Sequence, residues 1–205
     1  MTIKSLQSTS LTNNIFYRSM LAGNDAYFPE FESDDFLEEV VLTTSASSVT
    51  FSGLASYATA GYKHLQIRAV VRESSAAVGY TNSELRFNGD TGSNYSWHYL
   101  AGKGSSVLST DAPNQPNVRL QSFAPGDGSP SGVFGAGVID ILDFASTSKN
   151  KTVRALHGAL TSTNTGIHLT SGAWYNTGAV TSINFAIGSN SFLAGTRFSL
   201  YGSKG

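Results

Sequence analysis

Between Tyr62 and Asn94 the chain reads YKHLQIRAVVRESSAAVGYTNSELRFNGDTGSN, and between Val138 and Gly158 it reads VIDILDFASTSKNKTVRALHG. Both stretches have the form strand, sharp turn, strand. Apolar and polar residues alternate, and the breaks are glycine, asparagine and aspartate, which tolerate the backbone angles of tight turns. Period-two alternation commits one set of side chains to a buried face and the other to water, so it demands a sheet. In the first stretch Leu65, Ile67, Ala69 and Val71 fall on the core face, and His64, Gln66, Arg68 and Arg72 on the solvent face.

The same signal begins earlier, with EEVVLT and SSVTFS, and recurs over 83–87, 95–100, 117–123, 132–144, 152–160, 166–171, 181–187 and 196–201. Strands at this spacing predict an all-β sandwich, antiparallel and jelly-roll-like, over residues 37–205. The segment 101–116 and the loop APGDGSPSG, Ala124 to Gly132, read as the longest connections, suited to recognition on a rigid scaffold. Only 13% of residues are charged, which disfavours salt-bridged helices, so little helix is expected.

Residues 1–36 differ. A polar start gives way to NNIFYRSMLAGNDAYFPEFESDDF, which gathers Phe16, Tyr17, Met20, Tyr27, Phe28 and Phe31 without sustained strand or helix periodicity. Aromatics this dense seldom face water, so the segment reads as an anchoring arm that docks on another surface, or as one folded back on its own domain. The start lacks the apolar core of a secretory signal, and no stretch holds the roughly 20 apolar residues of a membrane helix.

A net charge of -1 without a basic block leaves no source for counterion release, which argues against nucleic acid. The absence of cysteine removes thiolate nucleophiles and Cys-based zinc sites, and fits folding in a reducing cytoplasm. Asp140 and Asp143 invite a reading as a glycosidase acid pair, but residues three apart on a strand point to opposite faces. Asp143 is better placed to bond the following turn. The oxygens of Asn88, Asp90 and Asn94 resemble a calcium loop without its bidentate glutamate, and turn chemistry accounts for them. His64, His98, His157 and His168 lie on separate expected strands, and no G-x-S-x-G elbow occurs. No catalytic residue, metal site or cofactor is therefore assigned.

Tyr95, Trp97 and Tyr99 share one strand face, and Trp174 adjoins Tyr175. Such rings fill a sandwich core, the reading preferred here, or stack on sugars; the glycan-stacking candidates are Trp97, Trp174 and Tyr175.

The segments FYRSMLAGN, YKHLQIR, RFNGDTGSNYSWH, GKGSSV, FGAGVIDILDFASTSKNKTVR, LTSGAWYNTGAVTSI and GTRFSLYGSKG together resemble a family of tailed-bacteriophage virion structural proteins, cyanophages included, of tail-fibre or baseplate-associated type. The likeness runs over nearly the whole chain. It implies a non-enzymatic particle component, assembled in the host cytoplasm and located in the virion, whose partners are other virion proteins, further copies of itself, with a trimer favoured, and host-surface glycan. A capsid decoration or head-fibre protein and a carbohydrate-binding module are the alternatives.

Overall fold

A computed structural model describes residues 34–76, 79–161 and 165–204. Most of the anchoring arm, with all six of its aromatic and methionine candidates, lies outside the described residues. One compact unit spans Asp34–Gly205. Its strands are β1 Asp35–Val41, β2 Ser48–Ser52, β3 His64–Val71, β4 Tyr80–Phe87, β5 Tyr95–Lys103, β6 Ser106–Gln115, β7 Val118–Pro125, β8 Gly135–Leu142, β9 Lys151–Leu160, β10 Thr165–Trp174, β11 Ser182–Ala186 and β12 Arg197–Ser203, with one short helix, α1 Ala55–Thr59. The domain is an all-β sandwich of two packed antiparallel sheets.

The four-stranded sheet has the order β2-β11-β4-β7 and the eight-stranded sheet the order β1-β12-β3-β8-β9-β10-β5-β6. Setting aside β5, β6, β9 and β10, what remains pairs from the outside inward: β1 with β12, β2 with β11, β3 with β8 and β4 with β7. That nesting across two four-stranded sheets is a jelly roll. The other four strands are two hairpins, β5–β6 inserted between β4 and β7 and β9–β10 inserted between β8 and β11. They add to the edge of β8 and extend that sheet by four strands.

The core lies between the sheets. Leu65 and Ile67 of β3, Ile139 and Ile141 of β8, and Phe198 and Leu200 of β12 meet Phe51 of β2, Leu85 and Phe87 of β4, and Phe185 of β11, all excluded from solvent. Phe185 stacks on Phe198 at 4.7 Å between ring centres, joining the two sheets. Each such side chain contributes about 1.5–3 kcal/mol by leaving water. Gly137 and Gly172 let β7 approach the large sheet: an added Cβ would stand 2.9 Å from Phe123 Cε2 at the first and 2.6 Å from Val118 Cγ1 at the second.

Three expectations change. The Tyr62–Asn94 stretch is not a hairpin, because β3 and β4 lie in different sheets and the chain crosses between them at Arg72 and Glu73. Segment 101–116 is not a long connection: it closes the β5 strand, turns at Gly104, whose φ is +54°, and returns as β6. Arg72 is buried, since β3 ends at Val71 and the side chain no longer follows the strand's alternation.

Candidate functional site

The carboxylates that invited a catalytic reading are occupied in structural roles. Asp140 lies on the outer face of the large sheet, where its Oδ1 accepts from Gln66 Nε2 at 3.0 Å and its Oδ2 lies 3.4 Å from Arg154. Asp143 follows the end of β8 at φ +52°, and its Oδ2 accepts from Lys149 Nζ at 2.7 Å across the β8–β9 turn. That bond and the ammonium's charge hold the Asp143 carboxyl below the usual range. The same turn is anchored by Lys151, a buried ammonium that donates to the carbonyls of Lys149 at 2.7 Å, Ser146 at 2.8 Å and Thr177 at 3.2 Å.

The Asn88–Asn94 turn is likewise a brace. Asn88, at φ +54°, accepts at Oδ1 from the backbone N–H of Thr181 at 2.8 Å and of Ser182 at 3.1 Å, tying the β4 turn to β11. Asp90 accepts from Trp174 Nε1 at 2.7 Å, Asn94 Nδ2 at 2.9 Å and the Gly92 N–H at 2.8 Å. The Trp174 bond, then that from Asn94, holds its carboxyl below the usual range. A carboxylate with three N–H donors around it has little left to offer a calcium ion.

This brace fixes Trp174. The indole is 1% exposed, with its centroid 5.5 Å from Phe87 and 6.2 Å from Tyr95. Trp97 is buried against Tyr99, stacked at 6.1 Å, with the Arg119 guanidinium 5.1 Å from its ring centre. Of the three glycan-stacking candidates only Tyr175 presents its ring to water, at 55% exposure, with its hydroxyl 2.9 Å from Ser96 Oγ. It borders a groove on the outer face whose polar lining includes Ser96, His98, Asp111, Thr152 and Ser171.

Two histidines that sequence spacing kept apart are brought together. Register pairs His157 of β9 with His168 of β10, both point inward, and their rings stack at 5.4 Å, nearly parallel at 3°. Both are buried, and beyond the 3.2 Å contact of His157 Nε2 with Thr170 Oγ1 the remaining three ring nitrogens have no hydrogen-bond partner among the described residues. Burial, then the neighbouring His168, pushes His157 down to about 3, and burial, then Lys103, pushes His168 down to about 4. The alternation Val153, Ala155, His157, Ala159 carried the signal that His157 faces the core.

Arg72 clamps the loop that follows β7. Its guanidinium donates to the carbonyls of Pro130 and Ser129 at 2.8 Å, Val133 at 3.0 Å and Asp127 at 3.1 Å, and to Asp127 Oδ1 at 3.2 Å. Glu73, fully buried, accepts from Thr81 Oγ1 at 2.7 Å and the Ser75 N–H at 2.6 Å. The expected recognition loop is thereby pinned to the sheet.

The remaining feature is a surface. On β3 and β12 the outward positions of the large sheet hold Gln66, Arg68 and Val70, and Arg197, Tyr201 and the buried Ser199. The equivalent positions on β8 and the extension hold Val138, Leu156, Leu169 and Leu100 in one row across β8, β9, β10 and β5, with Ile167, Leu160 and Val107 beside it. Their exposure runs from 38% at Val138 to 75% at Val107. Comparison of the chain with protein families, curated proteins and solved structures gives no match.

Proposed function

We propose that this protein is a non-enzymatic structural component of a tailed-phage virion, a tail-fibre or baseplate-associated subunit that joins the particle through its N-terminal arm. The observation that carries this reading is where the chain spends its exposed apolar residues. Most of them cover a broad sheet face, the form of an assembly surface, while the carboxylates that invited a catalytic reading, Asp140 and Asp143, are bonded into a strand pair and a turn. A subunit of this kind folds in the host cytoplasm and resides in the virion, in contact with other virion proteins and with copies of itself.

Quantitative mass spectrometry of purified virions against the major capsid protein tests it. A small fraction of the capsid copy number fits tail fibre or baseplate, near-equality means capsid decoration, and absence refutes the reading. Removing residues 1–30 should leave a folded domain that no longer enters particles, and normal incorporation of that truncation would refute the anchoring role of Phe16, Tyr17, Met20, Tyr27, Phe28 and Phe31.

The groove beside Tyr175 favours a second reading, a carbohydrate-binding receptor module. A half-exposed aromatic ring edged by hydroxyl, imidazole and carboxylate groups matches the chemistry of a sugar. Multivalent display of the protein on a glycan array tests this, and a signal unaffected by Tyr175→Ala counts against it.

A further inference from the structure

We propose that the aliphatic outer face of β8 and the β9-β10-β5-β6 extension is buried against the same face of a second copy of this chain. The inference rests on the reading of the protein as an assembling component and names the surface by which its copies meet.

Three observations converge. The first is contrast within one sheet. Outward positions on β3 and β12 are polar or aromatic with a polar tip except Val70, whereas the middle row across β9, β10 and β5 is leucine at every strand, with Ile167 and Leu160 beside it. A sheet that is to stay in water on one side keeps that side polar, and this row across the added strands does not.

The second is area. At the exposures of Val138, Leu156, Leu160, Ile167, Leu169, Leu100 and Val107, about 600 Å² of aliphatic surface faces water, the upper end for a monomer and most of the ~800 Å² each partner brings to a stable interface. The centre holds no charge, and Asp140, Arg154, His98 and Asp111 form a row on one side of it. An apolar centre with a polar rim is the anatomy of an interface, and the dominance of aliphatics over Arg and aromatic anchors is that of copies packed on each other.

The third is relief. Ile167 lies between Gly158 and Gly102 in the register of the sheet, so one branched side chain rises between two positions that have none. The resulting hollow is lined by Gly102, Gly158, Leu156, Leu160 and Phe134, beside the ridge. A ridge and a hollow on one face are what a two-fold contact requires, since each copy offers the other both parts.

The full-length protein is measured by size-exclusion chromatography with light scattering at tens of micromolar. The expected mass is at least twice the 21.6 kDa of one chain. The variant Leu156→Glu/Leu169→Glu places two charges at solvent positions, and it should fall to the single-chain mass with an unchanged circular dichroism spectrum. A wild-type protein that runs as one chain overturns the proposal. So does a folded double variant that keeps the wild-type mass, because copies would then meet elsewhere, through the arm or the exposed β6 edge.

Should the double variant fail to fold, the absence of native cysteine supplies a second measurement. Leu169→Cys should react with a maleimide several-fold more slowly as protein concentration rises, while Ser148→Cys, on the exposed β8–β9 turn, should not change. Equal behaviour of the two overturns the face assignment. None of these outcomes bears on whether the chain is found in virions, so the two readings fail separately.

Discussion

Acidification from pH 7 to pH 5 should weaken the fold through one pair of side chains. His157 and His168 titrate in the unfolded chain near the ordinary 6.5, but in the folded domain burial lowers them to about 3 and about 4. Between those limits the unfolded chain binds protons that the folded one refuses. Stability therefore falls as pH drops through 6.5 and goes on falling until the folded values are reached. Each histidine costs about 1.4 kcal/mol per pH unit in that window, so the pair removes about 4 kcal/mol between pH 7 and pH 5. For a domain of this size that is a fall in melting temperature of roughly 8–16 °C. The carboxyls of Asp90 and Asp143 do not share in it, because they are held below their ordinary 3.8 and lose their contribution only in stronger acid. Thermal melts at fixed protein concentration and pH 7, 6, 5.5 and 5 make the measurement. His168→Leu should roughly halve the slope, and His157→Leu/His168→Leu should flatten it. A wild-type midpoint that stays put over this range, or a double variant that slides as steeply as the wild type, refutes the reasoning.

Three other outcomes are expected. Trp174→Ala removes a buried ring and leaves Asp90 without its shortest hydrogen bond, which should cost about 3–5 kcal/mol in a denaturant titration. Trp174→Phe keeps most of the packing and should cost about 1–3 kcal/mol, the loss of a hydrogen bond to a charged acceptor. Arg72→Ala removes the guanidinium that donates to the carbonyls of Pro130, Val133, Ser129 and Asp127, so amide exchange over 126–133 should quicken markedly while that of β3 and β12 stays slow.

What the chain discloses of its fold is set by how much of each strand's pattern is local. β3 and β9 alternate cleanly because one side of each faces the core and the other does not, and alternation marks eleven of the strands. β6 left no such trace: it is the outermost strand of its sheet, exposed along nearly its whole length, and contains Pro113, so neither side selects for apolar residues. Sheet membership was hidden for a different reason. Whether β3 continues into β4 as a hairpin or crosses to the other sheet depends on the partners β8, β12, β7 and β11, which lie far along the chain. The His157–His168 stack is a register contact between strands and is visible only once β9 and β10 are paired. The outer aliphatic face was half legible. VRALHGAL and IHL carry leucine or isoleucine on the solvent phase of the alternation, but a sequence alone reads such a run as a strand buried on both sides.

The nested pairing of the jelly roll also fixes when the domain can close. β12 lies between β1 and β3, so the middle of one half of the large sheet stays open until Arg197–Ser203 has been made. The hairpins behave otherwise: β5–β6 and β9–β10 need only neighbouring residues and can zip while synthesis continues, whereas β1 must wait for a partner more than 150 positions downstream. At about 5–20 residues per second that wait lasts on the order of ten seconds or longer. Only toward its end, once Trp174 has been made, can all four added strands pair, and the aliphatic face then stands exposed over a core that β12 has yet to seal.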